Sequence, residues 1–185
     1  MSQSQALILV PLDAVDPEIL RHLSTAIAKA LTLPVRILPA KPLPLNTFHV
    51  TRNQYYSTQL LEYLLNCAGH GEHFRILGIT AVDLYIPIFT FVFGEAQLDG
   101  KAAIISTFRP RGEASGIRAP HSIFLKRLLK LSLHELGHTF SLPHCRQEGC
   151  LMGFAANLEQ LDKKDLEFCN YCRIMLADYY DRNGL

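Results

Sequence analysis

The chain alternates continuous apolar runs with stretches whose apolar residues recur every three or four positions. Ala6–Val10 is a short apolar run bounded by Pro11, which predicts a buried strand of a largely parallel sheet. Asp16-Pro17 then opens a helix, with Asp as N-cap and Pro in the first position. Leu20, Leu23, Ile27 and Leu31 form its buried stripe. A second strand follows at Pro34–Leu38, so the first unit is strand–helix–strand, with a right-handed crossover expected. Three prolines mark residues 39–46 as a surface loop. The next helix begins near Asn53–Ser57, buries Leu60, Leu61, Leu64 and Leu65, and stops at Gly69, flanked by surface histidines 70 and 73.

Beyond it, Ile79–Tyr85 reads as a third strand ended by Pro87. Phe89–Phe93, with aromatics on alternate positions, reads as a strand with two distinct faces. Residues 94–101 look like a polar connection and Ala103–Phe108 like a fifth strand. A basic, glycine-containing loop, 110–120, leads to a helix with Ser122 as expected N-cap and Leu125, Leu128, Leu129 and Leu133 on its buried side. Lys126, Arg127 and Lys130, at helical spacing, are expected on its solvated face. Residues 158–168 are short and mixed, with Asp162 a cap candidate. A last helix runs from about Cys172 through Ile174, Leu176 and Tyr179 to Tyr180.

The chemistry concentrates at the end of the Ser122 helix, in His134-Glu-Leu-Gly-His138-Thr-Phe-Ser-Leu-Pro-His144. Two histidines four apart share one helix face and can reach a single metal ion. Glu135 projects beside that metal, where a carboxylate can take a proton from a zinc-bound water. His144, six residues past the second ligand, reaches the same ion only if the chain turns sharply after about Phe140. Three imidazoles plus water make the open four-coordinate site of a catalytic zinc. Gly137, inside the helix, costs about 1 kcal/mol relative to alanine, and a close neighbour such as a strand would account for it.

Directly downstream stand Cys145, Cys150, Cys169 and Cys172, two short-spaced pairs with a spacer between them. This layout suits a closed tetrathiolate zinc site; two disulfides are the alternative. No basic region precedes Ala6–Val10, so no secretory signal is expected. A reducing, cytoplasmic compartment then favours thiolates. The fifth cysteine, Cys67, falls in an apolar helical pattern and is expected to be buried and inert. Met152, in Cys150-Leu-Met-Gly153, has the position of a metzincin Met-turn.

Taken together, HELGHTFSLPH, the adjoining Cys145, CLM and the CNYC pair resemble the archaemetzincin family over residues 133–172. Weaker similarity extends to Arg52–Tyr55 and Phe91–Ala96. The resemblance implies a metzincin-like α/β fold: a twisted, mixed five-stranded sheet with two long helices, the second carrying HExxH. A small irregular C-terminal subdomain with a final helix completes it. One domain is expected, with an upper part of about residues 1–141 and a lower part of about 142–185. The same resemblance implies two zinc ions, one on His134, His138 and His144 and one on the four cysteines. It also implies a peptide or protein substrate laid along an edge strand, here Phe89, Thr90, Phe91, Val92 and Phe93, by strand addition. Ser141 departs from the family pattern, which has glycine there. A turn of this kind uses a positive φ, which costs a serine on the order of 1 kcal/mol.

Charge and composition narrow the alternatives. At 185 residues with formal net charge +1, the chain has no field to draw it to nucleic acid or an anionic membrane. No apolar run approaches the ~20 residues of a membrane span. A monomer acting as a peptidase, with Glu135 as general base, is the expected reading. A catalytically silent peptide-binding domain of the same fold is the alternative, and Ser141 is its sequence support.

Overall fold

β1 (Leu7–Leu12) is buried along its whole length, as a strand with apolar layers on both faces must be. After it come α1 (Pro17–Leu31), β2 (Val35–Ile37), the short β3 (Phe48–His49) and β4 (Gln54–Tyr56), and α2 (Ser57–Cys67). The middle of the chain adds β5 (Arg75–Thr80), β6 (Leu84–Tyr85), β7 (Gly94–Ala96) and β8 (Ala102–Ser106). Four helices close it: α3 (Phe108–Arg111), α4 (His121–Thr139), α5 (Leu158–Asp162) and α6 (Asn170–Asn183). The structure, a computed structural model, describes residues 6–67 and 75–185. Histidines 70 and 73 and the expected helix stop at Gly69 lie outside the described residues.

The main sheet has the order β2-β1-β5-β8-β7, parallel throughout except for β7, which runs antiparallel on β8 at one edge. Alternate strand residues serve different helices. Leu7, Leu9, Leu77, Ile79, Ala103 and Ile105 pack with α1 and α4, whereas Ile8, Val10, Ile76, Ala102 and Ile104 pack with α2. The fold is thus the mixed five-stranded α/β architecture expected, with α2 covering the second face. Leu142, Leu151, Met152, Leu161, Phe168 and Leu176 join the α1–α4 core, which ties the C-terminal part to the sheet. Among the described residues no helix is long and apolar enough to cross a membrane.

Local signals hold for α1, where the Asp16 side chain accepts from the Glu18 N–H at 2.8 Å and Pro17 opens the helix. Other boundaries are corrected. The third strand is Arg75–Thr80, not Ile79–Tyr85. After Thr80 the chain leaves the sheet because the Asp83 carboxylate is drawn inward to Arg109, at 2.7 Å, and to Gln54, at 2.8 Å. Leu84 and Tyr85 then pair with β4 in a separate three-stranded sheet.

Phe89–Phe93 is not a strand. The Phe89 and Thr90 carbonyls accept from the Arg52 guanidinium at 2.7 and 3.0 Å, and Gln54 donates to Thr90 as well, so side chains replace a neighbouring strand. The edge strand is Gly94–Ala96, inside the stretch expected to be a polar connection. The fifth strand ends at Ser106, and Phe108 begins α3. Pro120, not Ser122, precedes α4. Asp162 ends α5 instead of capping a helix start, because Asn157 fills that role and Arg127 holds the Asp162 carboxylate. Lys130 leaves the solvated face: it is 7% exposed and its ammonium donates to the Leu161 and Asp162 carbonyls at 3.1 and 2.9 Å. α6 starts at Asn170, leaving Ile174 68% exposed, and Cys67 is only half-buried.

Candidate active site

α4 carries His134 and His138 one turn apart, with their Nε2 atoms 3.2 Å from each other. The helix ends by stacking several short contacts on its last carbonyls. The Phe140 and Leu142 N–H groups donate to Gly137, Asp99 N–H donates to His138, and the buried Arg75 guanidinium donates twice to Thr139. Ser141 takes the left-handed conformation at φ 65°, as expected for the residue in the glycine position. Its hydroxyl, unforeseen from sequence, donates to Asp99 Oδ1 at 2.6 Å. This turn brings the His144 ring to 5.3 and 4.8 Å, centroid to centroid, from those of His134 and His138.

One ring nitrogen from each of the three histidines lies within 4.8 Å of those of the others. His134 Nδ1 sits 2.9 Å from the Leu151 carbonyl and His138 Nδ1 2.7 Å from that of Leu142. A carbonyl can only accept, so each Nδ1 carries the proton and each Nε2 keeps its lone pair for a metal. A tetrahedral ion with ~2.0–2.1 Å bonds to nitrogen sets neighbouring donors ~3.3 Å apart, close to the Nε2 separation found. Burial, with the charge of His138 next, drives His134 down to about 3; burial also lowers His138 and His144. All three are therefore held as neutral imidazoles, the form that ligates.

Glu135 is buried beside them, and burial, then the nearby Glu95, raises its carboxyl to about 8. Ser57 and Thr58, at the start of α2, fix Glu95 through hydroxyl donors at 2.5 and 2.8 Å. Gly94 admits Glu135 under the edge strand: a Cβ there would lie 2.9 Å from Glu135 Cγ and 2.6 Å from the Ile104 carbonyl. Sequence reading missed Gly94 and Glu95. A glycine interrupting a strand pattern was the available sign of close approach. Gly137 is explained by Met152, whose sulfur lies 2.5 Å from where a Cβ would stand, so the close neighbour is the Met-turn and not a strand.

The four cysteines also converge, with Cys145 Sγ 3.8 Å from Cys169 Sγ and Cys150 Sγ 3.8 Å from Cys172 Sγ. A disulfide needs about 2.05 Å. A tetrahedron with ~2.3 Å metal–sulfur bonds has edges of ~3.8 Å, so the donor set fits a closed thiolate site. The Cys145 N–H donates to Met152 at 2.9 Å, linking this cluster to the Met-turn. His144 and Cys145, one donor from each group, are thus neighbours on one short piece of backbone.

A cleft of about 440 Å³ opens over the histidines, between the 89–96 segment above and residues 151–164 below. Phe89, Thr90, Phe91, Val92 and Phe93 all line it, although as an irregular segment with a single bridge from Val92 to Leu84. Arg109 stacks on Phe91 at 3.7 Å, and Phe154 packs edge-on to His144 at 5.5 Å. A family model described as Peptidase family M54 matches residues 18–178. The chain belongs to peptidase family M54. It is similar to the archaemetzincin of Haloquadratum walsbyi, 33% identical over 171 residues, which are 91% of this chain and 97% of that protein. The Methanocaldococcus jannaschii archaemetzincin is 34% identical over 168 residues, 91% of this chain and 90% of the relative. Among solved structures, Methanopyrus kandleri archaemetzincin superposes with a TM-score of 0.84 at 32% identity, covering 98% of each chain. Archaeoglobus fulgidus archaemetzincin, solved with malonate, gives 0.80 at 30% identity over 92% of this chain and 99% of that one. M54 membership makes this protein a zinc metallopeptidase of the archaemetzincin kind.

Proposed function

We propose that this M54 member hydrolyses peptide bonds in an extended peptide laid in the cleft along β7, with Glu135 as general base and His134, His138 and His144 holding the catalytic zinc. Cys145, Cys150, Cys169 and Cys172 hold a second, structural zinc. The catalytic zinc supplies a Lewis acid that acidifies water and polarises a carbonyl. The chain does the rest. Leu151 and Leu142 aim the two helical imidazoles, Glu135 takes the proton from the attacking water, and it returns that proton to the leaving amine. β7 offers its outer edge for strand addition, and the 89–93 segment forms a rim above it.

The observation carrying this reading is the pair of Nδ1-to-carbonyl contacts with a buried carboxyl beside them. A merely structural histidine cluster has no use for three free ring nitrogens facing a cleft. The test is graded chelation with metal counting and peptide turnover followed together. The open histidine site is expected to empty first, turnover vanishing with it and returning with zinc, while the thiolate metal stays. Glu135→Ala is expected to keep both metals and lose turnover. Loss of both metals in one step, or turnover surviving in Glu135→Ala, would overturn the assignment.

A further inference from the structure

The lower wall of the cleft contains two cations that the hydrolytic reading leaves unused. Lys130 lies on α4, one turn before His134, and Lys164 follows α5; both line the cleft. Each ammonium is held by backbone alone. Lys130 donates to the Leu161 and Asp162 carbonyls, and Lys164 to the Gly153 carbonyl. An ammonium has three donors, so Lys130 keeps one and Lys164 keeps more for other partners.

No carboxylate of the described residues lies within ion-pair distance of either lysine. Of the nearby acids, Asp162 takes both its oxygens to Arg127 at 2.8 and 2.6 Å, Glu159 pairs with Lys163 at 2.6 Å, and Asp165 acts on Lys130 only from beyond ion-pair distance. The surrounding wall is apolar, built from Leu131, Leu151, Ala155 and Leu161. Burial lowers the pKa of both lysines; Asp162 and Asp165 oppose this on Lys130, Cys150 and Cys145 oppose it on Lys164, and the charge of Lys130 adds to it on Lys164. Buried cations are normally matched by an anion. Here no carboxylate of the described residues touches either ammonium, and both side chains line the cleft in which substrate would lie.

Resting on the peptidase reading, we propose that Lys130 and Lys164 select a substrate carboxylate, so that the cleft favours peptides with a carboxylate at one fixed position from the scissile bond. The shared chemistry is a single carboxylate, from an Asp or Glu side chain or from a free C-terminus. A carboxylate between two desolvated ammoniums makes charge-assisted hydrogen bonds in a low dielectric. An amide of the same shape would leave the cations uncompensated, which is how a site built for one polar group rejects its isostere.

The test uses peptides differing only in Glu, Gln or Lys at each position around the cut, with free or amidated C-termini. Both kcat/KM on the zinc-loaded enzyme and affinity for zinc-loaded Glu135→Ala, by fluorescence anisotropy, are measured. The proposal expects Glu over Gln by roughly tenfold or more at one position, with Lys poorest. Alternatively, the free C-terminus gains by the same factor over the amide. Lys164→Met and Lys130→Met should each shrink that ratio. Lys164→Met is the arm that decides if Lys130→Met unfolds α5, and circular dichroism reports which has happened. A Glu-to-Gln and free-to-amide ratio within twofold everywhere, or one unchanged in Lys164→Met, overturns the proposal. Selective binding to Glu135→Ala without turnover by the wild type would sustain the carboxylate site and sink the peptidase reading.

Discussion

Replacing Gly137 with alanine would place a methyl group where Met152 already sits. The added Cβ would lie 2.5 Å from Met152 Sδ, 3.1 Å from its Cε and 3.4 Å from Leu142 Cδ1. Ordinary contact is about 3.5–4.0 Å, so the sulfur must retreat by more than ~1 Å. Met152 is fully buried, and its sulfur is mid-chain, so the side chain cannot simply swing its end away. Overpacking of this size costs about 1–3 kcal/mol, against a gain of about 1 kcal/mol for alanine over glycine inside a helix. The net loss, up to about 2 kcal/mol, lowers Tm by at most roughly 4–8 °C in a protein of this size. Displacing Met152 also drags Leu151, whose carbonyl orients His134, so zinc affinity at the histidine site should fall tenfold or more. Thermal unfolding and competitive chelation measure both effects. Met152→Ala removes the obstacle, so in that background Gly137→Ala should become neutral or stabilising. If Gly137→Ala costs the same in both backgrounds, the contact with Met152 is not why this helix carries a glycine.

Ser141→Ala keeps the left-handed backbone and loses the hydroxyl bond to Asp99, so it should cost about 1 kcal/mol, whereas Ser141→Gly relieves the backbone while losing the same bond and should be near neutral. Equal chemical denaturation midpoints for the two variants would refute that division. Cys150→Ser should weaken the histidine zinc as well as the thiolate zinc, because the neighbouring residues Leu151 and Met152 support His134 and α4. Metal titration showing an unchanged histidine site would make the two independent. In the metal-free protein, Glu135 titrates at about 8 in the folded state against 4.5 unfolded. Its contribution is therefore fully present below 4.5 and is lost as pH rises toward 8, by on the order of 1 kcal/mol per pH unit. The Tm of metal-free Glu135→Gln should accordingly gain on wild type as pH rises through that window; a pH-independent difference would contradict the burial of this carboxyl.

Convergence of the histidines and cysteines was legible because donors to one ion must meet, and helix geometry places the first two without further help. The left-handed turn at Ser141 followed from the need to swing His144 back. The rim residues were harder. Alternating phenylalanines look like a strand, but Arg52 and Gln54, almost forty residues earlier, take the carbonyls that a strand partner would have taken. Lys130 was misplaced for a related reason. Its stem is long enough to cross to α5, and helical spacing says nothing about carbonyls thirty residues away. The strand expected at Ile79–Tyr85 lies instead at β5 because burial of Asp83 depends on Arg109, which belongs to an element the local pattern did not reveal.

Residues 150, 151 and 152 meet three separate demands in immediate succession: a sulfur for the cysteine cluster, a carbonyl for His134, and a side chain for the gap at Gly137. Their spacing along the chain is thus fixed to the single residue. An insertion or deletion here would put every one of them out of phase at once, and no compensating substitution elsewhere could restore all three. Changes of length should therefore not be tolerated between Cys150 and Met152.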